Sequence, residues 1–436
     1  MVILGAAGRD FHDFNMVYRD DPSAEVVAFT AAQIPGIAGR AYPPALAGGE
    51  RYPDGIPILD ETQLEGICRA QGVTEVVFAY SDVPHEHVMH LASRALAAGA
   101  DFVMLGPERT MLRSALPVIA VTAVRTGCGK SQIARFVTKC VGEHGKRAAV
   151  LRHPMPYGDL SREKVQRFET MADLDAAHCT AEEREEYEPH LAAGNIVFAG
   201  VDYGAILRAA EEEADIVIWD GGNNDFSFVK PDLNLVVIDA LRPDQITTHH
   251  PGEAVARMAD IFVVNKVNAA APRDIERAVT HLREINPRAR VIRAASPVRL
   301  DDPRSVEGKK VLVVEDGPTI THGGMSYGAG YVAAIAAKAA EIVDPRLTAA
   351  PAIARVYARY PHIGRVLPTV GYSDTELHAL AETINASGAD VVVAATPIDL
   401  AGLVHPTKPV VRARYEFAES GRPTLRAAID EFLGRL

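Results

Sequence analysis

Seven consecutive residues, Arg125, Thr126, Gly127, Cys128, Gly129, Lys130 and Ser131, have the types and order of an anion cradle. They follow the apolar run Val118 to Val124 and lead into a helix expected over Gln132 to Glu143. In such a turn the backbone N–H groups and the helix N-terminus point at phosphate oxygens, and glycines let the backbone approach. Lys130 would reach the outer phosphates of a nucleoside triphosphate, and the Ser131 hydroxyl would meet Mg²⁺. The strict form of this loop has a glycine six residues before the lysine, where Val124 stands. Cys128 reads as a small spacer. A second apolar run, Asp215 to Asp220, ends in a carboxylate. An acid at the end of a buried strand beside the loop holds Mg²⁺ directly or through water, which makes Asp220 the metal and catalytic candidate.

The missing glycine gives the loop a resemblance to dethiobiotin synthetase and to the deviant Walker ATPases of the MinD type. In the deviant group a signature lysine five residues before the loop lysine reaches nucleotide bound by the partner subunit. Arg125 holds that place, so the resemblance implies a second catalytic cation and a homodimer. In the dethiobiotin-synthetase branch the metal strand ends in Glu-Gly, matched here by Asp220-Gly221. A further acid of that branch, just after the strand following the loop helix, maps to Asp159. The segment Asn265-Lys266-Val267-Asn268 resembles the Asn-Lys-x-Asp base reader of GTPases, whose Asp accepts from guanine hydrogens. An amide at Asn268 offers a donor as well as an acceptor, which favours ATP over GTP.

Three other segments carry polar groups that a sheet scaffold does not need: Arg152, His153 and Tyr157; Arg242, His249 and His250; and Thr319, Thr321, His322, Gly323 and Gly324. Each follows an apolar strand, so all should lie at the carboxyl edge of a sheet, where open α/β folds bind ligands. Together they describe a pocket for a strongly anionic small molecule. Arg152-His-Pro-Met-Pro-Tyr-Gly158, Asp220-Gly-Gly-Asn-Asn-Asp225 and Asp316-Gly-Pro-Thr-Ile-Thr-His-Gly-Gly-Met325 resemble the cyclic 2,3-diphosphoglycerate synthetase family over nearly the whole chain. That resemblance implies ATP-dependent closure of 2,3-diphosphoglycerate to an intramolecular pyrophosphate, with release of ADP and phosphate, in a homodimer. The alternatives are a GTPase of the metallochaperone type, drawn from Asn265-Lys266, and a non-catalytic nucleotide-gated binding module.

The elements that must hold these residues alternate Val/Ile/Ala-rich runs with amphipathic stretches, the pattern of an α/β fold with parallel sheets. Its 436 residues suggest two or three domains. The expectation is a Rossmann-like unit over 1–116, a P-loop NTPase parallel-sheet core over 117–345, and a small C-terminal α/β unit over 346–436. The segment Asp344 to Pro351 reads as the linker. Within 153–212, the acidic run Glu182 to Glu188 reads as a solvated helix face, with a lid beside the nucleotide site as the alternative. Gly5-Ala-Ala-Gly8 hints at a dinucleotide fold, but Ala31-Ala32-Gln33 offers no acid for a ribose, which argues against NAD. Arg9 and His12 are candidates for an anion at that helix start. His85, His87 and His90 read as helix-start surface residues. A net charge of -12 argues against nucleic acid. The lack of a long apolar run argues against a membrane span, so a cytoplasmic location is expected. Four scattered cysteines read as reduced thiols.

Overall fold

Apolar runs from the middle of the chain form strands buried on both faces, as parallel strands between helix layers must be. The computed structural model describes all residues except 7, 33–36, 154–159, 223–224, 370–373 and 398. Nine strands form the central sheet. In spatial order they are Gln166–Phe168, Ile196–Ala199, Ala148–Arg152, Ile216–Asp220, Val118–Ala123, Leu233–Asp239, Ile261–Asn265, Arg290–Ala295 and Ala418–Glu419. Only the two edge strands run antiparallel to their neighbours. Every residue of Val118–Ala123 and of Leu233–Asp239 is buried. The phosphate loop therefore leaves the middle of the sheet, with four strands on each flank.

A six-stranded N-terminal sheet is ordered Ala41–Tyr42, Ile56–Asp60, Ala28–Ala31, Val2–Leu4, Glu75–Phe78 and Asp101–Met104. It is parallel except at Ala41–Tyr42. A short antiparallel bridge, His249–His250 against Val83–Pro84, ties this unit to the central one. The class is α/β, with parallel-dominated sheets. Among the described residues no helix is long and apolar enough to cross a membrane.

The structure corrects the expected boundary at 345. Val298–Leu300, Lys310–Glu315 and Glu341–Ile342 lie in a third sheet, with Val391–Ala395 and Val410–Tyr415, and Leu367–Pro368 also pairs with Lys310–Glu315. Periodicity marks these runs as strands but does not say which sheet they join. The expected linker is also part of this unit, because Ala350 and Ile353 lie in its core. The chain then returns: helix Leu425–Leu433 packs Leu425, Ile429 and Phe432 into the central core. The acidic run is corrected as well. It lies on helix Ala181–Ala192, where Glu183, Glu185, Tyr187 and His190 are buried. Glu185 accepts from the Thr396 hydroxyl of the third unit at 2.9 Å. The run is an inter-unit contact, and its charge-rich composition hid that.

Glu315 ends a strand of the third sheet and is buried. Its carboxylate accepts from the N–H groups of Gly328 (3.0 Å), Gly330 (3.1 Å) and Tyr331 (2.8 Å), at the start of helix Ala329–Ala336. Burial pushes its carboxyl up to about 7, against the pull of those N–H groups. The folded value exceeds the unfolded one, so the linked stability is present below about pH 4.5 and lost as pH rises through about 7. Glu315→Gln stays neutral and should gain melting temperature relative to the wild type between about pH 5 and about pH 8. A gap that stays flat across that range would show that Glu315 titrates normally.

Candidate functional site

Helix Lys130–Glu143 begins within the phosphate loop, with Lys130 as its first residue. Gly127 (φ +82°) and Gly129 (φ +97°) turn the chain between strand and helix in conformations that L side chains rarely adopt. A methyl group at Gly129 would also lie 2.4 Å from Asn265 Nδ2. Gly129→Ala should therefore lower nucleotide affinity about tenfold or more, from backbone strain of about 1–2 kcal/mol and displacement of Asn265. Titration with a fluorescent nucleotide reads this, and an unchanged Kd would mean that the loop does not hold phosphate in this conformation. Cys128 is buried, and burial pushes its thiol up, in keeping with a spacer.

On one flank of the loop, Asp220 ends its strand fully buried. Its Oδ1 accepts from Lys130 Nζ at 2.5 Å, and Lys130 also donates to the Gly221 carbonyl. Oδ2 lies 2.5 Å from an Arg152 NH group and 2.9 Å from His190 Nε2. Asn195 Nδ2 lies 3.3 Å from His190 Nδ1. An amide nitrogen can only donate there, so Nε2 carries the ring proton and donates to Asp220. Burial alone would raise the Asp220 carboxyl, but Arg152, Lys130 and His190 outweigh it and hold it well below the usual range. Burial pushes Lys130 down to about 8, with Asp220 pulling the other way. Arg152 also pairs with Glu186. Sequence reasoning missed His190, which sits inside a polar run with no spacing signal.

On the other flank, Asp239 ends the strand next to the loop strand. Lys266, at φ +63°, donates to Asp239 at 2.8 Å and to the Gly127 carbonyl at 2.6 Å. Asn265 Nδ2 donates to the Cys128 carbonyl at 2.9 Å. Asn268 accepts from the Ser296 N–H at 2.8 Å, and the Ser296 hydroxyl lies 3.1 Å from Gln132 Nε2. These residues brace the loop from that flank. Arg242 donates to Asp239 (3.0 Å), to the Thr126 carbonyl (2.8 Å) and to the Gly323 carbonyl (2.7 Å). Asp239 was legible in principle, since it ends an apolar strand as Asp220 does.

Arg125 is buried among all three units. Its guanidinium donates to Asp82 at 2.7 Å, to Gln245 at 2.5 Å and to the His322 carbonyl at 3.3 Å, and one NH group lies 3.3 Å from His249 Nδ1. In this state the expected second cation for phosphate is tied to Asp82, a residue no local pattern marked. Burial pushes His249 and His250 down to about 4, and it lowers His322.

The three expected polar segments divide between the flanks. Arg242, Thr319, His322 and Gly323 converge on the loop: Thr319 stands within 3.4 Å of where a Gly127 methyl would lie, and its hydroxyl bonds Asp316. The Thr321 hydroxyl instead donates to the Gly317 carbonyl at 2.8 Å, inside its own turn. Arg152 and His153 lie on the Asp220 flank. His153 packs so closely on Gly8 and Gly222 that a methyl on either would clash with it. Tyr157 and Asp159 fall outside the described residues. Among the described residues, no group of three or more His, Cys, Asp or Glu is arranged to hold a metal ion.

No protein-family model matches the chain. Among solved structures, LpxK from Aquifex aeolicus in complex with ATP is 13% identical, covering 74% of this chain and 90% of its own, with a TM-score of 0.40. The hydrogenase maturation factor HypB from Archaeoglobus fulgidus is 18% identical, covering 41% and 81%, with a TM-score of 0.28. Scores this low carry no argument about function. A curated relative from Thermococcus kodakarensis, the arginine synthetase ArcE, is 56% identical over 432 residues, covering 99% of this chain and 96% of its own. At that identity over nearly the whole length of both, the chain belongs to the family of that arginine synthetase.

Proposed function

We propose that the chain is an ATP-dependent synthetase that closes a guanidinium group, producing arginine from a ureido precursor and ammonia. One observation carries the nucleotide part of this reading. A base side (Asn265, Asn268, Ser296), the glycine loop, and a lysine–carboxylate pair (Lys130, Asp220) follow one another along one edge of the central sheet. The full-length likeness to a protein named arginine synthetase supports the product.

Forming a guanidinium means expelling oxygen from a ureido carbon, which requires turning that oxygen into a leaving group. The ureido oxygen attacks the γ-phosphorus as the bond to the β-phosphate oxygen breaks, and ADP leaves. Ammonia then adds at the ureido carbon and the C–O bond breaks. Inorganic phosphate departs with the former ureido oxygen, and the guanidinium remains. Lys130 follows the developing charge from Asp220 onto the phosphates, and the loop N–H groups orient them. Ser131 and Asp220 are the oxygen donors that fit Mg²⁺, because Asp220 Oδ1 is freed when Lys130 turns to phosphate. The ion, when bound, neutralises the outer phosphates.

Charge balance bears on the substrate. Arg125 faces Asp82, Arg242 and Lys266 face Asp239, and Lys130 and Arg152 face Asp220. With Glu186 also on Arg152, four carboxylates face these five cations, a nearly balanced set that suits a neutral ureido group better than a substrate bearing two phosphates. A second reading, 2,3-diphosphoglycerate as substrate, draws on the convergence of Arg242 and Thr319 on Gly127. Purified protein with ATP, Mg²⁺, ammonium and citrulline, the ureido counterpart of arginine, should form ADP and arginine in equal amounts. ADP formation that needs 2,3-diphosphoglycerate and yields no arginine would replace the first reading with the second.

A further inference from the structure

Asp225, which follows the Asp220 strand in sequence, faces the N-terminal unit across a buried polar cluster. Arg9 follows the Gly5–Gly8 turn, and its guanidinium rests against the rings of Phe226 (5.0 Å) and Phe228 (5.4 Å). One nitrogen donates to the Thr110 hydroxyl at 2.9 Å. Its other contacts are long: 3.5 Å to Asp13 and 3.5 Å to Asp225. Arg9 is 7% exposed and Asp13 2% exposed, yet one guanidinium nitrogen of Arg9 and Oδ1 of Asp13 have no hydrogen-bond partner among the described residues. Asp225 accepts the Phe226 N–H at 2.7 Å, and its other oxygen lies 3.9 Å from His153.

A buried pair whose only task was to join two units would close to about 2.8 Å, since charges left apart in a dry interior are costly. Here a cation and two carboxylates are held open beside one another. Burial pushes Asp13 up to about 7 and Asp225 up to about 6, in each case against the pull of Arg9. The adjacent His12 donates to the Thr110 carbonyl at 2.7 Å and is pushed down to about 3 by burial, so it adds no charge. The cluster thus offers one donor fork and two acceptors, and the nucleotide chemistry uses none of them.

We propose that this cluster seats the zwitterionic head of an α-amino acid, with Arg9 taking the α-carboxylate and Asp13 with Asp225 taking the α-ammonium. The inference rests on the arginine-forming reading and adds to it the end of the substrate that does not react. With the head held there, the reacting end of the side chain would have to reach Asp220 and Lys130. Substrate and product share this head, so L-arginine itself is a probe that needs no turnover.

The test is calorimetric binding of L-arginine, of agmatine, which lacks the carboxylate, and of Nα-acetylarginine, which lacks the ammonium. The wild type should bind each analogue about tenfold or more weakly than L-arginine. In Arg9→Met the preference for arginine over agmatine should vanish, and in Asp13→Asn the preference over Nα-acetylarginine should shrink. ATP affinity should stay within about twofold in both. Should Arg9→Met not fold, Arg9→Lys, which loses the fork but keeps the charge, should narrow the same preference. A purely structural cluster would weaken all three ligands equally, and that result overturns the proposal. If arginine forms in the turnover assay while the variants keep wild-type discrimination, this site falls and the arginine-forming reading stands. If no arginine forms and none binds, both fall.

Discussion

Lys130→Ala should reduce nucleotide-driven turnover by about 10²–10³-fold or more, the scale of losing one well-placed donor to charge that develops in the transition state. Lys130 now rests on Asp220 and the Gly221 carbonyl, so in the nucleotide-free protein it is stored against the acid and must transfer to phosphate. The fold should survive its loss, because Arg152 still neutralises Asp220 and the His190 N–H still donates to it. ADP release measures the first effect and thermal melting the second. A variant that melts like the wild type and hydrolyses ATP at an undiminished rate would remove the loop from the mechanism.

What was legible in the sequence was local. The glycine spacing before Lys130, the apolar run closing on Asp220 and the Asn265-Lys266 pair each occupy a handful of consecutive residues. The sheet then brings them to one edge because their strands are parallel neighbours. Partners joined only by tertiary packing left no such trace. Asp82 meets Arg125 from another unit, across 43 residues of chain, and His190 reaches Asp220 from a helix whose composition looks solvated. The third sheet was misassigned for a related reason: a strand such as Lys310–Glu315 carries the pattern of any buried parallel strand, and pairing partners decide which sheet receives it. Arg9 was visible at its helix start, but its relation to Asp225, far along the chain, was not.

Asp220→Asn should cost more than activity. In the wild type one carboxylate, fully buried, faces Lys130, Arg152 and His190 at 2.5, 2.5 and 2.9 Å. Neutralising it leaves Lys130 buried without a counter-charge and Arg152 with Glu186 alone, a loss of about 3–5 kcal/mol by analogy with other broken buried pairs. In a unit of this size that corresponds to a fall in melting temperature of roughly 10 °C. The pH dependence has a definite sign. Asp220 is held well below its ordinary carboxyl value of 3.8 in the folded chain, so its stabilisation is present above that value and lost as pH falls through the folded one. The gap between wild type and variant should therefore be constant from neutral pH down to about 4 and close only in stronger acid. Melts across that range, with ADP release measured below the variant's transition, separate the two roles of the residue. A variant that melts within about one degree of the wild type would mean that Lys130, Arg152 and His190 do not depend on this acid. Full turnover in a folded variant would mean that neither the lysine nor magnesium needs it.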